Sequence, residues 1–91
     1  MTTSPRSDPS AIDVALINFL RKQFLYDRPG VQLSAETRLI QDGIVDSVGI
    51  LQLVGFVETT FDISLRPDDL VLRNFETVAA IRALVLARRN A

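Results

Sequence analysis

The sequence contains no cysteine, no histidine and no tryptophan among its 91 residues. Without cysteine there is no disulfide, no thiolate zinc site and no thiol nucleophile, and without histidine no imidazole acid-base chemistry. Any thiol chemistry must therefore be imported. Charge of one sign is also lacking: ten basic residues against 11 acidic ones give a formal charge of −1. That balance is wrong for a nucleic-acid binder that neutralises phosphates, and the basic residues are scattered, with Arg21-Lys22 and Arg88-Arg89 the adjacent pairs. No apolar run approaches the roughly 18 residues of a membrane helix, and "MTTSPRSDPS" has no apolar signal region of about 7–15 residues. The expectation is a cytoplasmic protein without membrane insertion.

What is present is ordinary globular composition, 47% hydrophobic and 23% charged, enough for one modest core. Residues 1–8 are polar with an early Pro5 and read as a flexible tail, leaving 9–89 as a single domain. In the first segment Ser7 or Asp8 suits a cap and Pro9 the first helical turn. Ile12, Leu16, Phe19 and Leu20 then form an apolar stripe, ending in Gln23, on a helix from about 9 to 25. Residues 26–46 carry Pro29-Gly30, Ser34 and Asp42-Gly43 and read as a long connection packed down by Val31, Leu33, Leu39, Ile40 and Ile44. A second helix starts at Ser47 and ends near Phe61, burying Ile50, Leu53, Val54, Val57 and Phe61 and exposing Val48, Leu51, Gln52, Gly55, Glu58 and Thr59. Pro67 with Asp68 and Asp69 opens a short helix, and Asn74 caps a last one whose buried face is Phe75, Val78, Ile81 and Val85, with Arg88 and Arg89 at its C-terminus. No run alternates as a strand. The predicted class is all-α, a small four-helix bundle of three longer helices and one short one, with a long loop between the first two.

The stretch "DGIVDSVGILQLVGFVETTF", residues 42–61, raises two questions. Ser47 at a helix start is an ordinary cap, or a hydroxyl displayed for reaction, with Asp46 as the cap instead. Gly49 and Gly55 each cost about 1 kcal/mol against alanine inside a helix. Either a neighbouring segment packs closely there, or a bare surface is needed for docking.

This stretch, with "ETRLIQDG" before it and "DDLVLRNFETVAAIRALV" after it, resembles carrier proteins of the acyl and peptidyl type over residues 9 to 88. In that family a Gly, a short apolar step and an Asp-Ser-hydrophobic triplet precede an apolar helix, and the final helix opens Phe-x-Thr. The resemblance implies that Ser47 receives 4′-phosphopantetheine, covalently attached from coenzyme A by a separate Mg²⁺-dependent phosphopantetheinyl transferase. Acyl or aminoacyl cargo then travels as a thioester on the imported thiol. It further implies an acyl- or aminoacyl-adenylating ligase and a downstream acyltransferase or synthase as partners, a monomeric carrier that is not itself an enzyme, and a partner surface of Asp46, Val48, Leu51, Gly55 and Glu58, with Asp46 contacting the transferase or its metal.

The chain departs from the family in one respect. Many carriers bear acids along the exposed side of this helix, whereas here Gly49, Gln52 and Thr59 stand there and Glu58 is the only carboxylate. Shape and apolar contact are expected to replace charge steering, which favours a stand-alone aminoacyl or peptidyl type of carrier over a housekeeping fatty-acid one. An acyl cavity between the helices would compete with Phe19, Phe56, Phe61 and Phe75 for space. The alternative is an unmodified helical interaction domain that docks through helix two. A helix-turn-helix DNA binder is disfavoured by the long loop and the nearly uncharged second helix. An autonomous enzyme lacks a nucleophile-base pair or a metal cluster.

Overall fold

A computed structural model describes residues 9–89, with side chains from residue 10 onward. The expected tail and the caps at Ser7 and Asp8 lie outside the described residues. Three α-helices make up the frame: α1 (Pro9–Phe24), α2 (Ser47–Phe61) and α3 (Val78–Arg89). No strand occurs among the described residues, and residues 25–46 form turns and bends.

The anticipated short fourth helix is not an α-helix. Two 3₁₀ turns, Pro67–Asp69 and Leu72–Phe75, take its place. The reason lies in local hydrogen bonds. Asp69 Oδ2 accepts the Arg66 N–H at 2.9 Å and Asn74 Nδ2 donates to the Asp69 carbonyl at 2.8 Å, so both polar side chains close tight turns rather than extending a helix. Asn74 is accordingly not the cap of α3, and Phe75 precedes that helix. Thr77 does the capping, its Oγ1 accepting the Ala80 N–H at 3.0 Å.

The core draws on every segment. Ile12, Leu16 and Leu20 of α1 are buried with Leu53, Val57 and Phe61 of α2, Phe75, and Val78, Ile81, Leu84 and Val85 of α3. Ile50 and Val54 are half-buried at its edge. The aromatic rings line its α1–α2 side: Phe19 stacks on Phe56 at 4.1 Å, while Phe24 meets Phe19 and Phe61 meets Phe56 edge-on.

The segment 25–46 is fastened from within. Leu39 and Ile44 are buried, and so is Val45, which the sequence reading did not single out. The Leu39 carbonyl accepts both the Ile44 and Val45 N–H groups at 2.9 and 3.0 Å, while its own N–H donates to the Glu76 carbonyl at 2.8 Å. The Ala79 N–H donates to the Ala35 carbonyl at 2.9 Å. The α2 start is thereby tied to the α3 start through one residue, Leu39.

Among the described residues two ion pairs complete the frame. Arg82 Nη1 of α3 meets Asp13 Oδ2 of α1 at 2.6 Å. Asp69, 8% exposed, faces Arg88 Nε at 3.5 Å, close enough for charge attraction but without hydrogen-bond geometry.

Candidate functional site

The start of α2 is set by Asp46. Its backbone is extended and its Oδ1 accepts the Gly49 N–H at 2.8 Å, while its carbonyl accepts the Ile50 N–H at 3.0 Å. Asp46 therefore fills the N-cap role that Ser47 also suits by residue type. Ser47 becomes the first helical residue. It is exposed, and its hydroxyl has no hydrogen-bond partner among the described residues.

Of the four N–H groups at the start of α2 that the helix leaves without intrahelical acceptors, those of Asp46 to Gly49, the one on Gly49 is taken by the Asp46 side chain, while the Ile50 N–H makes the first regular helical bond, to the Asp46 carbonyl. Those of Ser47 and Val48 have no acceptor among the described residues. Two donors and the positive end of the helix dipole thus surround an open hydroxyl, an arrangement that favours an anion such as a phosphate.

Ahead of the cap, Gly43 adopts φ +76°, in the left-handed region, which lets the chain turn from the 25–46 segment into α2 without a side-chain clash. The two helix glycines separate clearly. At Gly49 a Cβ would lie 2.8 Å from Phe24 Cε1 and 3.0 Å from Val45 Cγ1, so close packing accounts for that glycine. At Gly55 nothing lies within 4 Å. It is bare surface.

Gly55 continues a stripe with Val48 and Leu51, which are 65% and 71% exposed despite being apolar. Glu58 is half-buried, and its Oε2 accepts the Leu65 N–H at 2.8 Å, fastening the residues after α2 back onto the helix. No residue pattern marks this bond in the sequence, since its partner lies seven residues on in an irregular segment. Asp62 closes α2 in the left-handed conformation, φ 56°, with its N–H on the Glu58 carbonyl.

A groove of about 400 Å³ opens beside Asp46 and Val48, lined also by Gln23, Phe24, Arg28 and Gln52. A second groove, of about 420 Å³, lies between Arg38, Ile40 and Gln41 on one side and Leu72, Glu76 and Thr77 on the other. Among the described residues no His, Cys, Asp and Glu group is arranged to hold a metal ion, and no helix is long and apolar enough to cross a membrane.

No protein-family model matches the chain, and no curated protein matches it.

Proposed function

We propose that this protein is a carrier of the acyl or peptidyl type, bearing 4′-phosphopantetheine on Ser47. The observation that supports this most is the exposed Ser47 hydroxyl, without a hydrogen-bond partner among the described residues and at the first position of a helix whose cap is supplied by Asp46 instead.

The residues suit a phosphodiester at that position. Because Asp46 takes over the capping, Ser47 can be esterified without removing a bond that holds α2. The Ser47 and Val48 N–H groups are available to the phosphate oxygens, and the helix dipole favours their charge. In the attachment the Ser47 oxygen forms a bond to the pantetheine-bearing phosphorus of coenzyme A. The pyrophosphate bond breaks, adenosine 3′,5′-bisphosphate leaves, and the hydroxyl proton passes to a base of the transferase. The attached arm supplies the thiol that a chain without cysteine lacks, and cargo is held on it as a thioester.

The rest of the molecule presents that point. Val48, Leu51 and Gly55 offer the transferase and later partners an apolar, uncharged strip beside the attachment point, and Glu58 is the one carboxylate within α2, with one oxygen accepting the Leu65 N–H. Recognition by shape rather than by electrostatic steering follows. An adenylating ligase that loads an acyl or aminoacyl group, and an acyltransferase or synthase that removes it, complete the cycle.

The test is an intact mass after incubation with coenzyme A, Mg²⁺ and a promiscuous phosphopantetheinyl transferase. A single added arm, absent in Ser47→Ala, is the expected result. An unmodified chain under all transferases tried, with Ser47→Ala retaining full biological activity, would instead favour a helical interaction domain using the same exposed strip.

A further inference from the structure

The groove beside Asp46 and Val48 has a chemistry of its own. Those two residues flank Ser47, so the groove opens next to the hydroxyl, on the side where α2 faces the end of α1. The second groove contains no residue adjacent to Ser47. At about 400 Å³ the first falls within the range of roughly 300–1,000 Å³ that takes small ligands.

Its lining combines the apolar Phe24, Ile44 and Val48 with the polar Gln23, Arg28, Asp46 and Gln52. The Phe24 ring packs against the side-chain-free Gly49, where a Cβ would approach within 2.8 Å. In the lining Gln23 Nε2 and Gln52 Oε1 stand 3.4 Å apart, longer than a good N–H···O bond. Gln23 Oε1 and Gln52 Nε2 have no partner among the described residues. An acceptor and a donor are therefore offered together. Arg28 is the cation of the lining, and its guanidinium has no protein acceptor among the described residues. Asp46 puts a carboxylate there too, but one of its oxygens is committed to the Gly49 N–H.

We propose that this groove is the resting site of the pantetheine chain, on the α1 side of α2, which rests on the reading of Ser47 as the attachment point. A ligand matching the lining carries a negative phosphate at one end, secondary amides along its length and a small branched apolar unit between them. Pantetheine phosphate has all three. Gln23 and Gln52 hydrogen-bond its amides, Phe24 packs under its dimethyl group, and Arg28 offsets the charge of its phosphodiester. The thiol end is thereby held along the α1–α2 surface until a partner displaces it.

The experiment compares amide resonances of ¹⁵N-labelled protein before and after arm attachment, with attachment verified first by mass. Shifts are expected at Gln23, Phe24 and Arg28, which precede Ser47 by 19 or more residues, as well as at Gln52. In the arm-bearing Gln23→Ala/Gln52→Ala variant the α1 shifts should collapse. The thiol should then react faster with a disulfide reagent, on the order of fivefold for each of the two hydrogen bonds lost. Both glutamines are exposed, so the variant retains the fold. If the arm attaches but shifts stay within residues 45–51 and the variant thiol reacts at the parent rate, the groove assignment is wrong while the attachment stands. A chain that never takes the arm overturns both.

Discussion

At residue scale, two neighbouring side chains carry separable duties. Asp46 holds the helix start through the Gly49 N–H, so Asp46→Ala should cost about 1 kcal/mol of stability, within the range of roughly 0.5–2 for lost caps. Ser47→Ala removes an exposed hydroxyl without a partner among the described residues and should change stability by less than about 0.5 kcal/mol while abolishing arm attachment. Urea denaturation of both variants checks the pair, and equal losses would mean that Ser47 is a structural cap after all. The glycines give a second contrast. Gly55→Ala should stabilise by up to about 1 kcal/mol, because the added methyl meets nothing and helix propensity improves. At Gly49 the same propensity gain is opposed by contact with Phe24 and the buried Val45, so Gly49→Ala should be the less stable of the two variants. Sequence pattern could not distinguish these glycines, since both sit inside the same apolar helix. The difference comes from Phe24, 25 residues away.

At the scale of elements, α2 was legible to the residue because cap, apolar period and a Phe-Asp stop coincide there. The third helix was not. Asn74 and Thr77 are both acceptable caps by type, and the choice between them depends on the Asp69 carbonyl, which captures the Asn74 amide and closes a 3₁₀ turn. The account therefore places the start of α3 on Thr77. Thr77→Ala should lower thermal stability by about 1 kcal/mol and loosen amide-exchange protection across the first turn of α3. Unchanged exchange at Ala79, Ala80 and Ile81 would contradict that placement. The segment 25–46 was readable as packed down, since Leu39 and Ile44 are buried as their apolar character implies, but the tie of Leu39 to Glu76 joins backbone atoms and leaves no mark in residue types.

On the scale of the whole molecule, the site depends on a frame that fixes the start of α2 against α1 and α3. Leu53 lies fully buried in the core that those helices share, and Leu53→Ala should cost roughly 2–5 kcal/mol. That is a large share of the roughly 5–15 kcal/mol typical of a folded domain, and denaturant midpoints measure it. The Asp13–Arg82 pair links α1 to α3 at 2.6 Å but remains partly exposed. A double-mutant cycle should return a coupling below about 1 kcal/mol that weakens in salt. Packing, rather than charge, thus holds the start of α2 in place. The chain has neither Cys nor His, and the fold holds the Ser47 hydroxyl exposed beside the Asp46 cap.

The most direct measurement is to locate the modification: treat the protein with coenzyme A, Mg²⁺ and a phosphopantetheinyl transferase, digest it, and fragment the peptides by tandem mass spectrometry. The account predicts the added phosphopantetheine on the peptide containing Ser47 and on no other serine, with Ser34 and Ser64 unmodified. An arm found on another hydroxyl, or on none, would contradict it.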